Sequence, residues 1–241
     1  MSAPKVVTRD EWLVARGELL AREKEISRAK AEVDARRREL PMVRMDKEYK
    51  LAGPNGPVGL LDLFEGRRQL IVYHFMFDPA WDEGCASCSL VADNIGHLAH
   101  LHVNDTSLAL VSRAPLAKIE PFKARMGWTM PWFSSHDSDF NYDFQVSHDE
   151  SITPPEYNYK DADTLRTEGL THFLTGEDPG ASVFLREGDD IFHTYSTYAR
   201  GLDTLLGTYH YLDLTPLGRQ RYVNQFRHHD RYDEVTGHSC H

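Results

Sequence analysis

Residues 70–77 read LIVYHFMF, an almost unbroken run of apolar, β-branched and aromatic side chains. A strand with one solvated face would alternate apolar and polar residues, so this run predicts a strand covered on both faces. A second run of this kind, SLALVS at residues 107–112, follows a segment with helical spacing. Strand, helix and strand within about 45 residues predict a right-handed βαβ unit with a central parallel strand.

The remaining pattern extends this unit into an α/β domain. The helix between the two strands is predicted from about residue 85 to 101, with Val91, Ile95 and Leu98 on one face. Pro115 begins another helix that runs to about residue 126, and a final helix is expected near Leu202. The segments SVFLR and DIFHTYS flank residues 187–189 and predict a β-hairpin. We therefore expect a central mixed sheet flanked by helices, with an insertion at about residues 128–180 before the C-terminal hairpin.

The first 40 residues differ in composition from the rest of the chain. They carry ten basic and eight acidic side chains, which leaves 17 and 29 for the remainder. An apolar residue occurs at every seventh position, namely Trp12, Leu19, Ile26, Val33 and Leu40. This spacing predicts a long helix with one narrow apolar seam. This seam either packs on its own domain or joins two chains in a homodimer, although half of a heptad core is missing. We expect three regions: an N-terminal helical extension at 1–41, a domain at 42–226 and a C-terminal tail at 227–241.

Charge and hydropathy exclude several classes of function. The formal net charge of −10 argues against a nucleic-acid partner, which would require a basic surface. No apolar run reaches the roughly 18 to 20 residues of a membrane helix, and the start MSAPKVVTRDEW is not a signal peptide. We therefore expect a cytoplasmic protein with no membrane partner. No pattern in the sequence predicts a cofactor.

Two cysteines form a Cys-x-x-Cys motif where the first buried strand meets the following helix. Cys85 falls at the predicted amino end of that helix, where free backbone amides and the helix dipole stabilise a thiolate. Cys88 lies one turn further in, as a resolving thiol would. Asp82 and Glu83 precede Cys85 closely and are expected to raise its pKa, which opposes the helix effect.

Two other interpretations of the pair are a metal site and two buried thiols. A structural zinc site needs four ligands, and the sequence has no second Cys-x-x-Cys; His97 is too far along an intact helix to join the pair. We therefore predict no metal at the cysteines. The His-rich C-terminus, RHHDRYDEVTGHSCH, which includes Cys240, is either a solvated tail or an opportunistic metal ligand. The pair itself is either redox-active or two buried thiols.

Several long motifs resemble those of the thioredoxin-like domain-of-unknown-function 899 family. They are GCASCSLVADN, VSRAPLAKIEPFKARMGWTMPWFSS, DFNYDFQVS and FHTYSTYARGLD, and the resemblance runs from EWLVAR to RHHDRY. It implies a thioredoxin fold, and because the family is described as dithiol-disulfide oxidoreductases it implies that activity. Cys85 would be the nucleophile and Cys88 the resolving thiol, with a thiol or disulfide, in a protein or small molecule, as substrate.

The chain departs from two related patterns. Thioredoxins place a cis-proline directly before the first strand of the hairpin; with the strand expected at Val183, Pro179 is displaced from that place. Peroxiredoxins carry a proline seven and a threonine three residues before the reactive cysteine, where this chain has Asp78 and Asp82. A peroxiredoxin-like peroxidase is therefore the less favoured enzyme.

Residues at the carboxyl ends of the parallel strands are expected to surround the thiols. Arg113 follows the second strand and either offsets the acidic pair, holds a substrate anion or is simply solvated. Trp81, Trp128 and Trp132 either line a substrate groove or cover the sheet. A non-enzymatic binding module on the same fold, with the 128–180 insertion as its binding surface, is the alternative class of function.

Overall fold

A computed structural model describes residues 4–232. Its α-helices, in chain order, are α1 Arg9–Arg38, α2 Ala86–Asp93, α3 Ala99–His102, α4 Leu116–Arg125, α5 Phe140–Asp143, α6 Ala162–Thr167 and α7 Gly207–Asp213. Within the described residues, none of the helices combines the length and apolarity that crossing a membrane requires.

The strands fall into one large sheet and two small ribbons. They are β1 Val43–Arg44, β2 Lys50–Gly53, β3 Gly56–Gly59, β4 Gln69–His74, β5 Thr106–Ser112, β6 Trp132–Ser134, β7 Ser147–His148, β8 Glu156–Tyr157, β9 Lys160–Asp161, β10 Gly176–Glu177, β11 Gly180–Glu187 and β12 Asp190–Tyr198. The large sheet has the order β1-β12-β11-β4-β5-β6-β2-β3. Strands β7 with β10, and β8 with β9, form the ribbons.

The strand order identifies the fold. Strands β4, β5 and β6 are parallel, and β11 pairs antiparallel with β4 on one side and with β12 on the other. A βαβ unit followed by a helix, and then by an antiparallel hairpin whose first strand pairs with the first strand of that unit, is the thioredoxin topology. The predicted central mixed sheet and the predicted thioredoxin-like fold are confirmed.

The sheet separates two apolar cores. One face of the sheet packs against α2, α4 and α7 and contributes Tyr73, Phe75 and Trp132 to the first core. The opposite face contributes Leu70, Val72 and Val111 to the second. Burial on both faces explains why residues 70–77 are apolar almost without interruption.

The prediction of one continuous helix at residues 85–101 is wrong. The segment forms two helices, α2 and α3, with α2 ending at Asp93 and Asn94 as its C-cap. The Asn94 side chain donates to the Leu90 carbonyl and accepts from the Thr208 amide, at 2.7 Å in each case. Asn94 therefore caps α2 and ties its end to α7, which is a tertiary contact that the apolar spacing does not report.

The insertion at 128–180 is not a single open loop. It contains β6 to β10, α5 and α6, and packs a small core from Val146, Tyr157 and Leu165 against Tyr198 of β12. The hairpin is present, but its first strand begins at Gly180 rather than Val183. The expected final helix is a 3-10 helix, Ala199–Leu205, followed by α7.

Helix α1 is exposed along most of its length, with half-buried residues at 16, 34, 35 and 37. Thr8 caps its amino end in a reciprocal capping box with Glu11, whose carboxylate accepts from the Thr8 amide at 2.9 Å. No residue of α1 is buried, and its tie to the domain is made near its carboxyl end, where Arg37 stacks over Tyr195 at 4.9 Å. The structure therefore does not support the expectation that the apolar seam packs on its own domain.

A buried polar chain crosses strands β4, β11 and β12. His74 Nε2 lies 2.8 Å from Ser182 Oγ, which lies 2.8 Å from Ser196 Oγ, and His193 Nε2 lies 2.7 Å from the same Ser196 oxygen. His74 is 1 % exposed, and burial lowers its pKa from 6.5 to about 3. The folded protein therefore holds His74 neutral at pH values where the unfolded chain takes up a proton.

We expect the free energy of unfolding to fall as the pH drops from 6.5 toward 3, by about 1.4 kcal/mol per pH unit from His74. The stabilisation is complete above pH 6.5 because the imidazole is then neutral in both states. Urea unfolding at several pH values measures the slope, which His74→Gln should reduce. His97→Gln, at an exposed position, is the control; equal slopes for His74→Gln and the wild type would contradict the prediction.

Candidate active site

Cys85 and Cys88 lie where the polypeptide passes from β4 into α2. Cys85 is the N-cap of α2, and Cys88 is the third residue of the helix. Two hydrogen bonds tie the motif to Met76: the Cys85 amide donates to the Met76 carbonyl at 3.0 Å, and the Met76 amide donates to Cys88 Sγ at 3.4 Å. Both thiols are free, and the sequence-based placement at the strand-to-helix junction is confirmed.

Gly84 is required directly before the motif. A Cβ atom at this position would lie 2.7 Å from a ring carbon of Phe75 and 2.8 Å from one of Phe122. Only glycine lets the backbone pass this close to the aromatic core. Gly84 therefore helps to set where Cys85 enters the helix.

The two thiols have opposite pKa shifts. The hydrogen bond from the Cys88 thiol lowers the pKa of Cys85, and the amides of Cys88 and Ser87 add to this against the effect of burial, so it falls from 9.0 to about 6. Burial, together with the neighbouring Cys85, raises the pKa of Cys88 well above 9.0. Cys85 is half-buried and Cys88 is buried. At neutral pH, Cys85 is therefore the thiolate and Cys88 the protonated thiol that donates to it.

We expect the rate at which iodoacetamide labels Cys85 in the reduced protein to rise with pH and to be half-maximal near pH 6, since only the thiolate reacts. Peptide mass spectrometry assigns the label to Cys85. Cys88→Ala removes the thiol that donates to Cys85 and should move the midpoint upward. A wild-type midpoint near 9 would contradict this account of the site.

The acidic pair before Cys85 does not raise its pKa above the ordinary value, as the net shift is downward. Glu83 accepts hydrogen bonds from Arg125 at 2.5 Å and from Arg231 at 2.7 Å, and His228 lies 3.4 Å away. Asp82 is exposed to solvent. The charge of Glu83 is thus compensated by cations, and the main causes of the Cys85 pKa shift are the Cys88 thiol, burial and the amides of Cys88 and Ser87.

The start of the His-rich C-terminus packs against the site rather than forming a solvated tail. His228 is 9 % exposed, and its Nε2 lies 2.9 Å from the carbonyl of Gly84. Its ring packs edge-on against Phe122, with centroids 5.4 Å apart. Sequence reasoning missed this residue because nothing local distinguishes it from His229, which is exposed. Residues 233–241 of this C-terminus, including Cys240, lie outside the described residues, so the choice between a solvated tail and an opportunistic metal ligand stays a prediction there.

Arg113 is held by carboxylates. Its Nη2 donates to Asp78 and its Nε to Glu177, each at 2.6 Å, and its Nη1 donates to the Tyr142 hydroxyl at 3.0 Å. Arg113 therefore does not offset the acidic pair beside Cys85, and its charge is already matched. It ties the segment before Cys85 to the segment before β11.

Of the three predicted groove tryptophans, the structure brings Trp128 and Trp132 together, with ring centroids 5.8 Å apart, but in the first core rather than in a groove. Trp132 is 1 % exposed in the first core, where its Nε1 donates to Ser112 Oγ at 3.0 Å. Trp128 packs on Phe75 and donates to Asp93, while Trp81 is 37 % exposed. Trp132 and Trp128 thus cover the sheet, which was the alternative interpretation.

Within residues 4–232, no three His, Cys, Asp or Glu side chains are placed to hold a metal ion.

A cavity of about 520 Å³ opens beside Cys88. Its wall includes Tyr73 of β4, Val91 of α2, Leu202 and Leu206 from the C-terminal segment, and Cys88 itself. None of the predicted substrate-binding residues lines it. The sequence does not predict this cavity, because residues 199–223 carry no motif that indicates a binding site and come close to the dithiol only in the tertiary fold.

Pro179 also lines this cavity. Because β11 begins at Gly180, Pro179 directly precedes the first hairpin strand, so the expected displacement of this proline is wrong. Within the described residues there is no cis peptide bond, so the Pro179 bond is trans. Its carbonyl accepts from the Tyr157 hydroxyl at 2.9 Å. Pro179 thus occupies the position of the thioredoxin cis-proline, but its peptide bond is trans.

Fold and site together define a thioredoxin-fold protein with a Cys-x-x-Cys dithiol at the first strand-to-helix junction. Over residues 1–232 the chain matches the family described as "Bacterial protein of unknown function (DUF899)", and it belongs to that family. The predicted family resemblance is confirmed. Among curated proteins, the comparison finds no match.

Similar solved structures include two peroxiredoxins Q and a peroxidoxin. Peroxiredoxin Q of Xanthomonas campestris is 15 % identical, with 66 % of this chain and 88 % of that chain covered and a TM-score of 0.42. Peroxidoxin BcpB of Mycobacterium tuberculosis is 16 % identical, with coverages of 70 % and 94 % and a TM-score of 0.41. PrxQ of Xylella fastidiosa is 11 % identical, with coverages of 70 % and 92 % and a TM-score of 0.42. Similarity at this level carries no conclusion about activity.

Proposed function

We propose that this protein is a thiol-disulfide oxidoreductase in which Cys85 attacks a disulfide and Cys88 resolves the product. The observation that carries the proposal is the asymmetry of the two thiols. Cys85 is half-buried and has a pKa of about 6, whereas Cys88 is buried, protonated and donates to Cys85. A thiolate with a protonated thiol one turn away is what dithiol exchange requires.

The reaction proceeds in two exchanges. The Cys85 thiolate attacks one sulfur of the substrate disulfide, forms a mixed disulfide and releases the first substrate thiolate. Cys88 gives its proton to that thiolate and attacks Cys85 Sγ, which forms the Cys85–Cys88 disulfide and releases the second thiolate. The protein dithiol is oxidised by two electrons and the substrate disulfide is reduced to two thiols. The reverse sequence oxidises a substrate dithiol.

Redox titration tests the proposal. The protein is equilibrated in glutathione buffers of graded potential, free thiols are trapped, and mass spectrometry quantifies the Cys85–Cys88 disulfide. We expect one two-electron transition between about −120 and −270 mV, the range of known thiol-disulfide catalysts. Thiols that stay reduced at every potential, in protein that remains folded by circular dichroism, would refute it.

Assays on the same protein preparation distinguish the proposed function from two others. A peroxiredoxin-like peroxidase would form sulfenic acid at Cys85 and consume hydrogen peroxide catalytically; the Asp78 and Asp82 positions weigh against it, and Asp78 is engaged by Arg113. A non-enzymatic binding module would keep its ligand affinity when Cys85 and Cys88 are both replaced by serine. Rapid disulfide exchange with slow peroxide consumption distinguishes the proposed function from both.

A further inference from the structure

The cavity beside Cys88 has an apolar wall and a cationic mouth. Its volume of about 520 Å³ suits a small molecule, and the wall includes the apolar and aromatic side chains Val91, Phe173, Leu202, Leu206, Tyr209 and Val223. The charged lining residues are Arg200, Arg219, Arg221 and Asp203. Asp213, which does not line the cavity, pairs with Arg219, so the three cations stand against two carboxylates and leave one net positive charge, in a chain whose formal net charge is −10.

The three arginines are not equivalent. Arg219 is fixed: it donates to Asp213 at 2.8 and 2.6 Å and stacks over Tyr209 at 4.1 Å. Arg200 lies 3.5 Å from Asp203. Arg221 forms no ion pair with any residue of 4–232, and the structure gives its exposed side chain no carboxylate partner. Arg221 is therefore the cation available to an anion at the mouth.

We propose that this cavity binds the aromatic or alkyl body of a small disulfide or thiol that carries an anionic group, with Arg221 facing the anion. The assignment of a sulfur compound rests on the proposed function, whereas binding of an apolar anion does not. The cavity is lined by Ser87 and Cys88 but not by Cys85, so a disulfide held there would have to present its sulfur past Cys88 to the Cys85 thiolate. The cavity would then select among disulfides by the body that it holds.

Two fluorescent probes with the same aromatic body test the binding step. They are 8-anilinonaphthalene-1-sulfonate, which is anionic, and N-phenyl-1-naphthylamine, which is neutral. We expect Arg221→Glu to weaken binding of the anionic probe about tenfold, the effect of one charge contact, and to leave the neutral probe unchanged. Val223→Trp should weaken both probes, because it fills the cavity. Arg227→Glu, the same charge change outside the cavity, is the matched control.

Two disulfides test the chemical step. The anionic 5,5′-dithiobis(2-nitrobenzoate) and the neutral 4,4′-dithiodipyridine each oxidise the dithiol and release two aryl thiols. Arg221→Glu should slow the first about tenfold and not the second. If Arg221→Glu changes neither anionic probe binding nor the anionic disulfide rate, the cavity assignment is overturned. If the probes respond as expected but neither disulfide reacts, the cavity binds apolar anions and the proposed redox function fails.

A different observation concerns α1, which leaves its apolar seam uncovered. The seam side chains are 45–69 % exposed, at Trp12, Leu19, Ile26, Val33 and Leu40. With these at heptad position a, every preceding position g is a glutamate: Glu11, Glu18, Glu25, Glu32 and Glu39. Position e holds Arg16, Glu23, Lys30 and Arg37. Charged side chains at positions e and g of a coiled coil form ion pairs between the two helices and set their relative direction.

The geometry points to a parallel coiled-coil dimer of two copies of this chain. In a parallel pair, each g side chain meets the e side chain five residues on in the other copy. Three of the four pairs are then opposite in charge: Glu11 with Arg16, Glu25 with Lys30, and Glu32 with Arg37. In an antiparallel pair g faces g, and every such contact sets glutamate against glutamate. The charges therefore select a second copy in the parallel direction.

The remaining core position is compatible with this dimer. Position d holds Ala15, Arg22, Ala29 and Arg36, of which the alanines allow close approach. Arg22 pairs with Glu25 and Arg36 with Glu32 on the same helix, at 2.8 and 2.6 Å. Their aliphatic stems can cover the seam while the guanidinium groups stay at its edge. Polar residues in a core weaken a coiled coil and fix its register.

Light scattering on the intact protein gives the oligomeric state, for which we expect a dimer that Ile26→Asp converts to a monomer. Direction is tested with Ala15→Cys in a background where all three native cysteines are serine. Position 15 meets its own copy in a parallel pair, so mild oxidation should give a cross-linked dimer on a gel. Ala31→Cys, an alanine on the opposite side of the helix, is the matched control. A monomeric wild type, or equal cross-linking of both variants, would overturn the proposal.

Discussion

Cys85→Ser is expected to reduce disulfide exchange to the uncatalysed background, while Cys88→Ser leaves the first exchange intact and traps a mixed disulfide on Cys85. The reason is the separation of roles between the two thiols. Cys85 is the thiolate at neutral pH, and Cys88 is buried and held by the Met76 amide. Without Cys85 no nucleophile remains, and without Cys88 nothing displaces the substrate from Cys85.

The measurement is thiol release from a chromogenic disulfide, with intact-protein mass spectrometry to detect the adduct. Cys240→Ser, which leaves the Cys-x-x-Cys unchanged, is the control and should react like the wild type. If the Cys85→Ser variant formed the stable adduct and Cys88→Ser did not, the roles would be reversed. If both variants reacted at the wild-type rate, the motif would not be the reactive centre.

Arg113→Met is expected to lower the free energy of unfolding by about 3–5 kcal/mol, the cost of stranding one member of a buried ion pair. The Glu177 side chain is 1 % exposed, and its carboxylate accepts from Arg113 and from Ser147 at 2.6 and 2.8 Å. Burial raises the pKa of Glu177 even with Arg113 present. Removing the guanidinium leaves a buried carboxylate that must either stay charged without its cation or take up a proton.

Urea unfolding of the Arg113→Met variant and of the Arg113→Met/Glu177→Gln double variant measures this effect. The double variant has no stranded charge and should recover part of the loss. The deficit of the single variant should also shrink as the pH falls through 4.5, since below that value Glu177 is protonated in the unfolded as well as in the folded state and the raised pKa no longer matters. Arg67→Met is a control, because Arg67 pairs with Glu65, which is exposed. A loss that is equal in the single and double variants would contradict the argument.

The position of this ion pair makes Arg113 a positioning residue. Asp78 lies in the segment that leads from β4 to Cys85, and Glu177 lies just before Pro179 at the cavity wall. Arg113 joins these two segments from the end of β5. Sequence reasoning placed Arg113 at the correct edge of the sheet but could not identify its partners, which are 35 and 64 residues away.

Local patterns alone determined the central elements. The apolar runs at 70–77 and 107–112 gave β4 and β5 because a strand buried on both faces leaves no room for polar side chains. Spacing and turn residues gave α4 and the hairpin, and the place of the cysteines at a strand-to-helix junction followed from these elements. Each of these features depends on a few consecutive residues, so it can be predicted from the sequence alone.

The tertiary structure alone decided what surrounds the thiols. Asn94 ends α2 through Thr208, His228 reaches Gly84, and Trp132 is buried rather than placed in a groove. Each of these depends on partners far apart in the chain that meet only when the sheet and its cover assemble. The same holds for the cavity beside Cys88, whose walls come from segments more than 100 residues apart. Periodicity determines which face of an element is buried, but only the packed structure determines what it is buried against.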